Sequence, residues 1–483
     1  MRAMTGAYRL PNARKSARQA FVLLAMALSF ALKAETTPET GLPDAVRRAL
    51  AAAKIPESAV SVVVQPLNAT RPVLTHNAAA AMNPASVMKL VTAFAALEIL
   101  GPGKRWQTSA WAAAEPGAEG VLTGALFLRG GGDPAFSMEA FTRLLRRLRA
   151  RGVRHIEGDL VLDRSLFSLP ARNPGAFDRR PLRAYNVFPD ALLIDGFAQR
   201  FTFVPENGAV RAYRDTPNER LVSAIQLKPG VGICDGWRDR LGISLTAEGL
   251  RLEGQYPVSC GERTLLLSPL SPETHIDGLF RALWRELGGT FAGKTRNGTI
   301  PVNAIRLASQ ESPPLSDLIR DMNKWSNNVM ARHIFLALGD KTPLTEEGAR
   351  QRVTEWLAWR GLRFPELVLE NGSGLSRIER ISAESMNRLL ITVWQSEFMP
   401  EFLASLPIVA VDGTLQKRLN GTPSAGRARL KTGTLEGVRT MAGYAQDEAG
   451  RRYALTFLMN HPRAADGQTA MDALIRYFAE KGL

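Results

Sequence analysis

Between Pro181 and Ser268 the chain is written as short strands broken by Gly, Pro and Asn, and helical spacing of apolar residues returns only at Ile276. Such a stretch, with helical text on both sides, reads as a small β-rich insert in a larger α+β body. The length calls for a division of this kind, because 483 residues exceed the size at which a single hydrophobic core keeps growing. With 45% hydrophobic and 22% charged residues the chain is globular, and disordered-tail and collagen-like classes are excluded.

On either side of the insert the elements follow from periodicity and breakers. Asp44 to Ala53 reads as a helix and Ala59 to Pro66 as a strand. The turn Asn83-Pro84-Ala85-Ser86 feeds a helix from Val87 to Leu100, stopped by Gly101-Pro102-Gly103. Strand-like Leu126 to Arg129 enters Gly130-Gly131-Gly132-Asp133-Pro134, and the next helix, Met138 to Ala150, carries Met138, Phe141, Leu145 and Leu148 on one face. Its other face is basic (Arg143, Arg146, Arg147, Arg149), which is the pattern of a solvated helix face. Beyond the insert, helices are expected at Ile276–Leu287 and Leu318–Leu338, strands at Gly443–Ala445 and Tyr453–Met459, and a terminal amphipathic helix at Thr469–Lys481.

The formal charge of +15 would ordinarily suggest a nucleic-acid or anionic-surface partner. Six of those charges, however, fall in Met1 to Ala34, which has no acidic residue and holds the apolar run Ala20 to Leu32. This is the pattern of an export signal, with an uncleaved anchor as the alternative. Its removal leaves +9, which suits work beside an anionic envelope better than nucleic-acid binding. No later stretch of 18 apolar residues follows, so the mature chain is expected to be periplasmic and soluble or peripheral. Cys234 and Cys260 suit one disulfide in an exported protein, with two buried thiols as the alternative. The five histidines lack ligand spacing, so neither a metal nor another cofactor is expected.

Three short strings bear on chemistry. Ser86-Val87-Met88-Lys89 places a hydroxyl and an amine on the same side of a first helical turn, where a desolvated lysine can serve as base for a serine nucleophile. Only 12 of the 61 cations are lysines, so a lysine at this spacing is more telling here than in a lysine-rich chain. Lys431-Thr432-Gly433-Thr434 precedes an apolar strand pattern; its cation suits a carboxylate and its glycine the close approach of a substrate backbone. Ser-x-Asn occurs twice, at Ser326-Asn327-Asn328 and at Ser385-Met386-Asn387. The second lies in an expected helix after Ser382, where a capping and solvent-facing role fits. Gly288 to Thr295 matches the P-loop string but follows a helix and leads into strand-like text, the reverse of a nucleotide site. No Gly-x-Ser-x-Gly occurs, against a serine-histidine-aspartate hydrolase.

Taken in order, the three strings resemble the motif set of penicillin-binding proteins and related β-lactamases. Pro84-Ala85-Ser86, Gly130 to Pro134, Ser312-Pro313-Pro314-Leu315, Gly372-Ser373-Gly374-Leu375-Ser376-Arg377 and Asp412-Gly413-Thr414-Leu415 extend the likeness over essentially the whole mature chain. It is similar to the class C low-molecular-mass group, D-alanyl-D-alanine carboxypeptidases that also act as endopeptidases. That context selects Ser326 over Ser385. It also accounts for the 240 residues between Ser86 and Ser326, where the group holds two inserted domains.

The resemblance implies a transpeptidase-like catalytic domain, an antiparallel sheet covered by helices, formed by 35–107 and 310–483. Inserted domain II would take 108–180 and 271–309, and domain III 181–270. It implies Ser86 as nucleophile, Lys89 as base, Ser326 as proton relay, Asn328 on the substrate amide, and Lys431 with Thr432 on the terminal carboxylate. The N–H groups of Ser86 and Thr434 would form the oxyanion hole, with Gly433 between. Peptidoglycan stem peptides and cross-links are the expected substrates and β-lactams the expected inhibitors. In relatives an inserted-domain aspartate and the arginine of Gly-Ser-Gly-Leu-Ser-Arg bind a diamino-acid side chain; by motif these resemble Asp163, with Phe167 nearby, and Arg377, with ordinary salt bridges as the alternative. Glu436 stands where relatives often carry an amide. The Glu-x-x-x-Asn segment of class A β-lactamases is absent, so slow release of bound penicillin is expected. A non-catalytic wall-binding scaffold and an esterase or β-lactamase on the same fold are the rival readings.

Overall fold

The computed structural model describes residues 39–481; the expected export signal lies outside them. Its main sheet has six strands in the order Glu39–Thr40, Leu74–His76, Val60–Pro66, Arg452–Asn460, Val438–Gln446, Ala428–Leu435. All pairings are antiparallel except that of Glu39–Thr40 with Leu74–His76. Alternation along Arg452–Asn460 sends Tyr453, Leu455, Phe457 and Met459 to a core shared with the helices Asp44–Ala52 and Gln468–Arg476, while Ala454 faces the other side. Both faces are covered, and the central strands therefore read as nearly continuous apolar runs.

On that second face lies the helix Lys89–Leu100, buried from Lys89 to Leu97. A helix buried on every side needs apolar residues all round, and this one supplies Leu90, Val91, Phe94 and Leu97. Phe94 meets Trp356 and Phe402 edge-on at 5.3 and 6.3 Å. Residues from Leu315–Lys324, Asn328–Leu336, Glu346–Trp359 and Ala383–Trp394 complete this core. The single helix expected over Leu318–Leu338 is two helices, Leu315–Lys324 and Asn328–Leu336. The break falls at Trp325-Ser326-Asn327, where Ser326 takes φ +57° and the Asn327 side chain caps the second helix by accepting from Met330 N at 3.1 Å. The Ser385 string also differs from expectation. Ser382 caps its helix, but Ser385 and Asn387 are buried, Asn387 donating to Gln65 Oε1 at 3.0 Å.

The chain leaves the main body along Gln107–Ala112 and returns along Ile305–Glu311, and these two strands pair antiparallel. They belong to a five-stranded sheet whose other members are Leu126–Arg129, Leu160–Asp163 and Thr295–Asn297. Helices Met138–Ala150 and Pro272–Glu286 cover it, sharing Phe141, Leu145, Leu148, Phe280 and Trp284 as core; Arg143, Arg146 and Arg147 stay in solvent. The second of these helices starts four residues before the expected Ile276 because Ser271 caps it, accepting from Thr274 N at 3.2 Å. Gly288 to Thr295 leads into short strands and opens no helix. Between the covering helices two three-stranded sheets enclose a separate core of Phe203, Trp237, Tyr256 and Leu252, beside which Cys234 and Cys260 are disulfide-bonded. Among the described residues no helix is long and apolar enough to cross a membrane.

Candidate active site

Ser86 sits in the short 3-10 turn Ala85–Met88 that runs into the helix starting at Lys89. The turn is strained, since Ala85 takes φ +46°, a conformation that costs roughly 1–3 kcal/mol for a residue with a Cβ. Four hydrogen bonds hold it, three of them to other segments. Asn83 Oδ1 accepts from Ala85 N (2.8 Å), Asn83 Nδ2 donates to Ser376 O (2.9 Å), Asn460 Nδ2 donates to Asn83 O (3.0 Å), and Thr440 Oγ1 donates to Pro84 O (2.7 Å). Two glycines let the surroundings close on it. A Cβ on Gly374, at φ +77°, would lie 1.8 Å from Ala85 O, and one on Gly433 would lie 2.1 Å from Thr440 Oγ1 and 2.7 Å from Pro84 O.

The turn Ser326–Asn328 brings two lysines from different elements into one site. Lys89 Nζ donates to Ser86 Oγ at 3.0 Å, to Asn328 Oδ1 at 2.7 Å and to the carbonyl of Ser373. Lys431, from the edge strand Ala428–Leu435, donates to Ser326 Oγ at 2.8 Å and to Thr432 O at 2.8 Å. Both lysines are 0% exposed. Burial pushes the Lys89 amine well below the ordinary lysine range; the charge of Lys431 acts in the same sense and that of Glu379 against it. Burial brings Lys431 down to about 7. A neutral buried lysine beside a serine hydroxyl is a base in reach of a nucleophile.

Ser86, Ser326 and Asn328 line a cleft of about 1290 Å³ together with Thr432, Gly433 and Thr434, and with Arg377 and Glu436. The Arg377 guanidinium donates to Glu436 O at 3.1 Å, stands 3.6 Å from the Glu436 carboxylate, and stacks over Phe177 at 4.6 Å. Asp163 and Phe167 do not line this cleft. Asp163 ends the strand Leu160–Asp163, and its buried carboxylate is taken up locally, by Ser165 N (3.1 Å), Ser165 Oγ (2.6 Å) and Ile300 N (3.3 Å). Phe167 packs edge-on against His333 at 5.5 Å. The inserted-segment acid that does line the cleft is Asp178, next to Phe177, with its oxygens accepting from Tyr185 Oη (2.7 Å), Asn186 Nδ2 (2.8 Å) and Arg180 N (3.0 Å).

Other contributors carry no motif. One oxygen of the fully buried Glu379 accepts from the N–H groups of Glu370, Asn371 and Gly372 at 3.1, 3.0 and 3.1 Å, fixing the loop whose Ser373 carbonyl receives Lys89. Asn460 and Thr440 hold the Ser86 turn from the sheet. The only signal available for such residues is a polar side chain inside an apolar strand or loop, which many structural residues share. Among the described residues no group of three or more His, Cys, Asp or Glu could hold a metal ion.

A profile of the D-Ala-D-Ala carboxypeptidase 3 (S13) family matches residues 42–481. The D-alanyl-D-alanine carboxypeptidase of Actinomadura sp. (strain R39) is 30% identical over 417 residues, which is 82% of this chain and 76% of that protein. The D-alanyl-D-alanine carboxypeptidase DacB of Haemophilus influenzae is 28% identical over 425 residues, 84% of this chain and 86% of that one. The fold matches the crystal structure of penicillin binding protein 4 (dacB) from H. influenzae with a TM-score of 0.74 at 24% identity, covering 90% of this chain and 99% of that chain.

Proposed function

The chain belongs to the D-Ala-D-Ala carboxypeptidase 3 (S13) family, and from that premise we propose that its serine carboxypeptidase chemistry runs through an ester on Ser86. The observation that carries the proposal is the pairing of each serine hydroxyl with its own buried lysine, Ser86 with Lys89 at 3.0 Å and Ser326 with Lys431 at 2.8 Å. Neutral Lys89 takes the Ser86 proton as Oγ attacks the carbonyl of the penultimate D-Ala. The developing oxyanion is received by the N–H groups of Ser86 and Thr434. As the C–N bond breaks, Ser326 passes its proton to the amine of the departing D-Ala and takes in its place the one that Lys89 gained, so that Lys89 is again a neutral base for the attacking water. Asn328 holds the substrate amide, Lys431 and Thr432 hold the terminal carboxylate, and Gly433 admits the peptide backbone to the strand edge. Water then cleaves the ester and restores Ser86.

The substrates on this reading are peptidoglycan stem peptides, with cross-links cut by the same attack, in the periplasm after export. On this reading the catalytic domain takes 35–107 and 310–483 and the inserts take 108–180 with 271–309, and 181–270; from the inserts, residues 176–180 and Tyr185 reach the cleft. Asp178 and Arg377 offer opposite charges to a diamino-acid side chain, a role for which Asp178 replaces Asp163 because it lines the cleft. A β-lactam would acylate Ser86 and leave slowly. A fluorescent penicillin tests this: it should label the wild-type protein and not Ser86→Ala. Absence of a serine-dependent adduct would return the chain to the scaffold reading, and rapid sustained penicillin turnover would make it a β-lactamase.

A further inference from the structure

The phrase Asp412-Gly413-Thr414-Leu415 has no part in the chemistry above, yet its threonine reaches the reactive cleft. Thr414 Oγ1 lies 3.1 Å from Thr432 Oγ1. Each hydroxyl has one hydrogen and two lone pairs, so the contact between them uses one O–H and leaves the other O–H for a further acceptor. A carboxylate accepts only. On arriving at Thr432 it meets two adjacent O–H groups that can both rotate to donate to it.

The position of Thr414 is built rather than incidental. Asp412 Oδ1 accepts from Ile408 N at 2.8 Å, and Asp412 Oδ2 pairs with Lys324 Nζ at 2.6 Å, a lysine that also donates to Leu406 O at 2.7 Å. Gly413 takes φ +56° and lies so close to Lys324 that a Cβ would come within 2.7 Å of the Lys324 carbonyl oxygen. Lys324 is two residues before Ser326. The same residue therefore fastens the turn that presents Ser326 to the turn that presents Thr414.

We propose that Thr414 is a second hydroxyl of the seat for the substrate's terminal carboxylate, beside Thr432. The inference rests on the acyl-serine reading and extends it, since that reading assigns the seat only to Lys431 and Thr432. It makes the Asp-Gly-Thr turn a specificity element for chains ending in a free carboxylate.

The test uses two arylboronic acids that add reversibly to a reactive serine and differ only in a carboxylate placed where the substrate's terminus would lie. Inhibition constants of the full protein for the two define a preference for the charged form. In Thr414→Val, which keeps the shape and loses the O–H, that preference should fall about 10-fold, the usual size for a hydrogen bond to a charged group, and Thr414→Ser should bring it back. An unchanged ratio in Thr414→Val, or equal losses on both boronates, overturns the role. If the wild-type protein binds neither boronate, the acyl-serine reading itself falls and takes this inference with it.

Discussion

The two lysines of the site are alike in burial and opposite in setting. Lys89 opens a helix, and its amine meets a serine hydroxyl, a side-chain amide oxygen and a backbone carbonyl, each from a different segment. Lys431 stands on an edge strand, bonded to one serine and to the carbonyl of the next residue. Two ammonium groups cannot both stay charged cheaply in one desolvated site, and burial together with the charge of Lys431 pushes the Lys89 amine down. On the proposed mechanism Lys89 is the base. Lys431, brought down to about 7, keeps part of its charge near neutrality, and on the same mechanism that charge serves the substrate's carboxylate. The turn Ser326–Asn328 serves both, giving its serine to one lysine and its asparagine to the other.

Removing each lysine separates these roles and should give the largest effect. Lys89→Ala takes away the base, and acylation by penicillin should fall by roughly 10³-fold, within the range for loss of general-base assistance. Lys431→Ala should cost less, about 10²-fold in kcat/KM, with a visible share in KM because a carboxylate loses its cation. Stopped-flow acylation and steady-state hydrolysis of a diacyl-D-Ala-D-Ala peptide measure the two. Equal losses with no KM component at Lys431 would erase the distinction.

The pH dependence sharpens it further, and the two signs differ. As pH rises through the lowered pKa of Lys89 the amine loses its proton and acylation rises. As pH rises through about 7 Lys431 loses its charge and a carboxylate is held less well. Hydrolysis of a free-acid peptide should therefore decline by up to about 10-fold in kcat/KM per pH unit beyond that point, whereas inhibition by the neutral boronate should show no such descending limb. A descending limb of the same size for both ligands would place the titration elsewhere.

How far the sequence foretold this comparison depends on what each feature leaves in the text. Serine and lysine three apart at a helix start, and lysine-threonine-glycine beside a strand pattern, are local signals; Lys89 opens its helix, while Lys431 to Gly433 lie within the edge strand Ala428–Leu435 rather than ahead of it. The break at Ser326 left no such mark. Leu318, Ile319, Met322, Met330 and Ile334 are all buried, and Ser326 falls in phase with them, so the apolar period runs through the turn as though the helix did. What ends the helix is the left-handed φ of Ser326 and the cap at Asn327, and asparagine in a polar helix face looks the same in sequence. The ring of partners around Lys89 was illegible for a different cause: Ser373 contributes a backbone carbonyl, which any residue type carries.

Asp163 and Asp178 give the smallest predicted effect and the test of the inserts. Both are inserted-segment acids near a phenylalanine, and motif likeness alone pointed to Asp163. Its carboxylate is buried and satisfied by Ser165 and Ile300, so Asp163→Ala leaves two backbone N–H groups and a hydroxyl without their acceptor. That should lower stability by about 1–3 kcal/mol, read as a fall in Tm, with similar kinetic changes on every substrate. Asp178 lines the same cleft as Arg377 and is only half-buried, so water can replace part of what Tyr185 and Arg180 lose; its removal should lower Tm less than Asp163→Ala does while raising KM several-fold for a peptide with a free diamino-acid amine over its neutral analogue. Substrate-selective loss at Asp163 with uniform loss at Asp178 would reverse the assignment, because only a side chain in contact with the amine can distinguish the two peptides.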